Sequence, residues 1–176
     1  MKLQNISQLF QTSNLLPIFL AVILIDFIVI LIAKYTTFFG KQINVWYRKL
    51  GMTAVLLDVL IIVIGILITS FLFTYFQWEF TPLKFIGVAL IVQLIHDTLL
   101  YQWIIKPHTK GTNLILDIYQ DYANENGWKI LVADASMIIG SCFLAMVFKN
   151  YPEATQWILV IVLIYLLPYF VYQKEK

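Results

Sequence analysis

Residues 92–101 read VQLIHDTLLY and lie in the middle of an apolar run that extends from Leu83 to Ile105. A charged side chain at the centre of a membrane costs at least about 2.5 kcal/mol on insertion scales, so the adjacent His96 and Asp97 need partners at their own depth. Three other apolar runs each contain one acid: Asp26, Asp58 and Asp134. The sequence therefore predicts a membrane helix bundle around an acidic, partly protonatable core.

The composition excludes a soluble globular domain. Of 176 residues, 61% are hydrophobic and 12% are charged, and the mean hydropathy is +0.82. A net charge of +2 gives no reason to expect nucleic-acid binding. The single Cys142 excludes an internal disulfide and a thiolate metal cage. The first apolar run has no basic segment before it and no cleavage site after it, so we expect a retained span.

The predicted fold is all-α, a polytopic bundle of five spans with two short amphipathic interfacial helices, forming one membrane domain over residues 1–176. A crossing takes about 20 apolar residues. Asn14 is a candidate N-cap of the first span, and Pro168 is expected to kink or end the fifth. The predicted spans are residues 15–33, 52–73, 83–105, 128–148 and 154–171.

The distribution of Lys and Arg predicts the orientation. With five crossings, nine of the 12 basic residues fall on one side, which indicates a cytoplasmic C-terminus and an outer or lumenal N-terminus. These nine are Lys34, Lys41, Arg48, Lys49, Lys106, Lys110, Lys129, Lys174 and Lys176. The expected location is therefore an integral membrane, such as a virion internal membrane or the endoplasmic reticulum.

Two connections on that side have helical amphipathic patterns. In residues 37–50 the apolar face comprises Phe39, Ile43, Trp46, Tyr47 and Leu50, opposite Lys41, Asn44 and Arg48. In residues 112–126 it comprises Ile115, Ile118, Tyr119 and Tyr122, opposite Asp117, Asp121 and Glu125. We expect the basic first segment to dock against the acidic second one. The alternative is two solvated faces that never meet.

Helical periodicity brings polar side chains from three spans to one layer. At about 1.5 Å per residue, Asp58, Asp97 and Asp134 share a depth, with Asp26 nearer the midplane. The predicted cluster comprises Asp58, Gln93, His96, Asp97, Tyr101, Asp134 and Ser141, with Asp26 and Thr69 as secondary intramembrane groups. Pairs of small residues four apart, such as Ser136 and Gly140, favour a central fourth span, and the fifth is expected to be peripheral.

The cluster supports more than one chemistry. Three carboxyl groups in one low-dielectric layer cannot all ionise, so they can store protons or hold a cation. They can equally serve only to join helices by hydrogen bonds. We identify no catalytic residue, no metal ligand set and no cofactor: Asp97-x-x-x-Tyr101 resembles a motif of membrane fatty-acid hydroxylases, but this chain has only two histidines where two irons need many. A metal held by His96 and two carboxylates has no sequence signature.

The segment from Gln93 to Ser141 contains His96-Asp97, Ile105-Lys106-Pro107, Lys110-Gly111-x-Asn113 and Asp134-x-x-Met137. It resembles uncharacterised multi-pass membrane proteins encoded by large DNA viruses of algae and protists. The resemblance covers about a third of the chain and carries no catalytic motif. It implies a virion or host internal membrane, and a role in assembling that membrane or anchoring a capsid.

The leading hypothesis is a non-enzymatic structural component of such a membrane, with the lipid bilayer, further copies of itself or virion and capsid proteins as partners. The alternative is a small proton or cation channel or transporter, and a metal-dependent membrane enzyme comes third. The four acids share an apolar-Asp-apolar pattern, which is too little to predict an internal duplication.

Overall fold

The computed structural model describes residues 2–9, 11–36, 38 and 40–173. Across these residues it contains seven α-helices and no β-strand. Five of the helices are long and apolar enough to cross a membrane, and two are short. The helices are α1 (Leu15–Tyr35), α2 (Gln42–Leu50), α3 (Met52–Tyr75), α4 (Pro82–Leu100), α5 (Leu114–Asn126), α6 (Lys129–Phe148) and α7 (Glu153–Val171).

The spans begin and end within two residues of their predicted bounds. Helix α4 stops at Leu100 and continues as a π-helical turn over Tyr101–Ile105, in which the Lys106 amide donates to the Tyr101 carbonyl at 2.8 Å. The predicted span to Ile105 is therefore confirmed, and its last turn is π-helical. Pro168 does not end α7, which continues to Val171.

Asn14 does not cap α1, contrary to prediction. Its side chain lies in a 3₁₀ turn, Thr12–Asn14, and makes no capping hydrogen bond. It donates instead to the Gln8 carbonyl at 2.8 Å and accepts from the Lys149 ammonium. The Asn14 side chain therefore makes tertiary hydrogen bonds in place of capping the helix.

Four helices form a ring in the order α1, α3, α4 and α6. Helix α1 packs against α3 and α6, and α4 packs against the same two helices from the opposite side. Helix α7 lies outside the ring against α1, the peripheral position predicted for it. The fourth span, α6, predicted to be central, contacts α1, α3, α4 and α5. Helix α1 contacts α3, α6 and α7 and is half buried, the largest buried share among the five spans.

The ring consists of two similar units, residues 12–75 and 82–148. Each contains a span, a short helix, a glycine at positive φ and a second span. Gly51 (φ 57°, ψ −131°) and Gly127 (φ 54°, ψ −129°) have nearly the same backbone conformation. Asp58 and Asp134 each lie seven residues after the glycine. The two units, called the first and second repeat below, therefore share an order of elements and the position of a glycine, a correspondence that the sequence pattern was too weak to predict.

The two ends of the ring are closed differently. At one end α2 and α5 lie across the opening. At the other, the N-terminal segment is held by the Lys149 ammonium on the Asn5 carbonyl (2.6 Å) and the Ser70 hydroxyl on the Ile6 carbonyl (3.3 Å). Ile6 is fully buried there.

Candidate functional site

Helices α2 and α5 contact each other through aromatic rings and one carboxylate. The Trp46 and Tyr119 ring centroids are 4.6 Å apart. The Glu125 carboxylate accepts from the backbone amides of Lys41 (3.0 Å) and Gln42 (2.8 Å) at the start of α2. These amide hydrogen bonds hold the pKa of Glu125 below its usual range. The docking expected from the sequence is confirmed.

Only one of the three acids takes part in that docking, Glu125. The other two acids of α5 bond within their own half of the chain: Asp121 with Lys110, and Asp117 with His108 at 2.9 Å and with the Gly111 amide. Arg48 and Lys49 are exposed. Phe39, expected on the apolar face of the first segment, lies outside the described residues, as do Lys174 and Lys176.

A cavity of about 440 Å³ lies beneath α2 and α5, where the two repeats meet. Its wall is mostly aliphatic and aromatic. Three predicted site residues, Asp58, Asp97 and Asp134, contribute carboxyl groups from three different spans, and Gln93 contributes an amide. Among the described residues that line the cavity there is no Lys, Arg or His. The site is therefore acidic and has no protein cation in its wall.

In the first repeat a tyrosine bridges two acids. The Tyr47 hydroxyl lies 3.2 Å from Asp58 Oδ2 and 3.4 Å from Asp26 Oδ1, and the Trp46 indole N–H donates to the same Asp58 oxygen at 3.0 Å. Burial, with the two carboxyls beside it, raises the pKa of Tyr47, so the phenol keeps its proton. Asp26 therefore belongs with Asp58, although the sequence set it apart as a secondary group nearer the midplane.

In the second repeat the corresponding bridge is absent. Tyr47 lies four residues before Gly51, and the residue four before Gly127 is Ala123, which lines the cavity. Asp97 accepts from Gln93 Nε2 at 2.7 Å and lies 3.1 Å from His96 Nδ1. Asp134 makes no hydrogen bond within the part of the chain that the structure describes.

One buried acceptor at the cavity also has no partner. Gln93 is 4% exposed, and its Oε1 accepts no hydrogen bond from the described residues. An unpaired buried carbonyl of this kind costs about 1–3 kcal/mol, so it marks a place where a donor is missing.

Two tyrosines of α5 complete the wall on the side of the short helices. Burial raises the pKa of Tyr119, with further contributions from Asp58, Asp134 and Asp97. Burial likewise raises the pKa of Tyr122, again with Asp134 and Asp58 nearby. Both are therefore neutral phenols facing the acids. The sequence placed Trp46, Tyr47, Tyr119 and Tyr122 on apolar helix faces but gave no reason to count them as site residues.

Other predicted site residues lie elsewhere or contribute in part. Tyr101, the first residue of the π-helical turn, lines the cavity as predicted. His96 contacts Asp97 and does not line the cavity, and its side chain is 38% exposed. Thr69 donates to the Gly65 carbonyl of its own helix at 2.9 Å. Ser141 is buried, and its hydroxyl has no partner among the described residues.

The described residues bring together no group of three His, Cys, Asp or Glu side chains that would hold a metal ion. Comparison with known proteins adds no candidate chemistry. No family model, curated protein or solved structure matches the chain. What the five apolar helices support is a membrane protein, and its function has to be argued from the cavity.

Proposed function

We propose that this chain is a membrane protein that binds protons or cations in the cavity and exchanges them across the bilayer. One observation carries the proposal: three carboxyl groups from three spans open onto one cavity whose described wall has no basic side chain. Acids buried at membrane depth are costly and commonly belong to proton relays or ion pathways. We therefore favour the proton or cation channel or transporter, the alternative hypothesis from the sequence, over the structural role.

The position of the cavity supports transport. Many membrane carriers are built from two internal repeats, some related by an axis along the membrane normal, with the substrate site where the repeats meet. Here the cavity is lined by α2 and α3 of the first repeat and by α4, α5 and α6 of the second. On the Lys and Arg distribution, the end with α2 and α5 is the cytoplasmic one.

The cavity opens to the surface beside the end of α4. Exposed lining residues, including Thr98, Gln102 and Trp128, place its opening between the end of α4 and the start of α6. Toward the opposite end the core is filled by Ile66, Phe73 and Phe85, each at most 2% exposed. Exchange across the bilayer therefore needs a conformational change, as in a carrier, rather than an open pore.

Flux through liposomes tests the proposal. The full chain is reconstituted into vesicles that contain a pH-sensitive dye, and a potassium or sodium gradient is imposed. We expect proton movement at least tenfold faster than in empty vesicles, and Asp134→Asn to abolish most of it. Asp121→Asn, which alters an acid paired with Lys110 away from the cavity wall, should leave the rate unchanged. Equal rates for empty and protein-containing vesicles would overturn the proposal.

A second candidate is the structural, non-enzymatic role in a viral or host internal membrane, with capsid proteins or further copies as partners. The resemblance of Gln93–Ser141 suggests it, and the filled core beside the N-terminal segment favours it. In that case neither the parent nor Asp134→Asn would conduct, and the substitution would change only stability. The metal-dependent enzyme gains no support, since the described residues offer no three-ligand group.

A further inference from the structure

Acids at corresponding positions of the two repeats have different hydrogen-bond partners. In the first repeat, the Tyr47 hydroxyl joins Asp26 to Asp58. In the second, Ala123 occupies the position that corresponds to Tyr47 when the two glycines are aligned, and no described residue donates a hydrogen bond to both Asp97 and Asp134. Ala123 lines the cavity.

Three carboxyl oxygens of the cavity wall therefore accept no hydrogen bond from the described residues. They are Oδ2 of Asp97 and both oxygens of Asp134, whereas the buried Oε1 of Gln93 lies against Gly65. A primary ammonium group has three N–H donors and a positive charge, whereas a phenol has one donor and a quaternary ammonium has none. The number of acceptors and their charge both match a primary ammonium.

The rest of the wall suits an apolar, aromatic body. Trp46, Tyr119 and Tyr122 offer ring faces that attract a cation. Ile61, Leu131 and Met137 supply aliphatic contacts. The volume of about 440 Å³ lies within the usual range for small-molecule sites, roughly 300–1,000 Å³.

We infer that the cavity binds a lipophilic primary amine in its ammonium form. The ammonium group lies between Asp97 and Asp134, as the Tyr47 phenol lies between Asp26 and Asp58. This inference rests on the proposed cation site and names its ligand class. The ligand enters between the end of α4 and the start of α6. Its release requires the acids to take up protons or another cation, which couples it to the exchange proposed above.

Equilibrium binding of 4-phenylbutylammonium to the purified full chain tests the ligand class. Trp46 and Trp128 line the cavity, so the fluorescence of the chain reports occupancy. We expect saturable binding, at least tenfold weaker binding of the N-trimethyl analogue, and no saturable binding of 5-phenylpentanoate, which has the same body and a negative charge. Equal binding of the primary and quaternary amines would overturn the assignment of a donor-dependent site.

Substitution at Ala123 tests the correspondence between the repeats. Ala123→Tyr supplies the missing phenol and should both abolish binding and raise the melting temperature. Ala123→Phe fills the same space without a donor and should abolish binding without that gain. Asn124→Tyr, on an exposed position of the same helix, should leave binding unchanged. Unaltered binding in Ala123→Tyr would overturn the inference.

Different results would overturn the exchange function and the amine ligand. Proton flux without saturable amine binding would overturn the ligand assignment and leave the exchange function in place. A second outcome is that the amine binds, that Asp134→Asn weakens this binding at least tenfold, and that the vesicles show no proton flux. This outcome would support the binding site and overturn the transport function. Absence of both would overturn both.

Discussion

Tyr47→Phe removes one oxygen atom from the centre of the first repeat. The ring remains to fill its buried position, and only the hydroxyl that lies between Asp26 and Asp58 is lost. Asp58 keeps the Trp46 indole as a donor, whereas Asp26 is left with no hydrogen-bond partner among the described residues. The substitution therefore isolates the energy of the tyrosine bridge.

The expected loss in the free energy of unfolding is about 1.5 kcal/mol. Leaving a buried acceptor unsatisfied costs about 1–3 kcal/mol in soluble proteins. Hydrogen bonds in a membrane bundle average nearer 0.6 kcal/mol and reach about 1.7, because the unfolded chain in the membrane also finds partners. A fully buried shared hydroxyl belongs near the upper membrane value. At roughly 2–4 °C per kcal/mol, the melting temperature should fall by about 3–6 °C.

Reversible unfolding in mixed micelles, followed by tryptophan fluorescence, measures this loss. Tyr119→Phe is the matched control, because it removes the same atom from a hydroxyl that bonds to no described residue. We expect that control to cost less than about 0.5 kcal/mol. Equal losses in the two variants would refute the bridge. So would strict additivity of Tyr47→Phe with Asp26→Asn, since bonded partners should couple.

Two other features give predictions outside the cavity. Glu125→Gln should lower the hydrogen-exchange protection factors of the first amides of α2, measured relative to the intrinsic exchange rate at each pH. Acidification should also lower these protection factors in the parent, because a carboxyl with a lowered pKa contributes stability at neutral pH that is lost as the pH falls through that value. Gly127→Ala, at positive φ in open space, should cost about 1–3 kcal/mol. Gly51→Ala should cost more in the same unfolding assay, because its Cβ would lie 2.5 Å from the Tyr172 hydroxyl oxygen; equal costs would contradict the packing there.

Hydropathy alone located the five spans, since the apolar length needed to cross a bilayer leaves little freedom in their placement. Small residues on the fourth span correctly indicated a close helix approach, and Gly140 indeed admits Ile25 of α1, which a Cβ there would meet at 2.8 Å. What the small residues do not reveal is the identity of the neighbour. For that reason the sequence did not reveal that α1 has the largest buried share of the five spans.

Side-chain reach explains what the sequence missed in the site. Counting residues along each helix placed Asp26 and Asp58 at different depths in the membrane. The Tyr47 side chain of α2 nevertheless reaches both carboxyl groups. The cavity is lined by Ala123 at the position that corresponds to Tyr47, and this difference has meaning only once the two repeats are compared. The π-helical turn at the end of α4 had no sequence signal either, although Tyr101 was correctly placed at the site.

The N-terminal segment seals one end of the ring with polar contacts to backbone carbonyls. Lys149 and Ser70 hold Asn5 and Ile6, and Gln4 pairs with Asn150 at 2.8 Å. None of these bonds belongs to the helix–helix interfaces. Withdrawal of a few residues of extended chain is therefore a smaller movement than parting two spans, and it would uncover that end while the four helices stay in place.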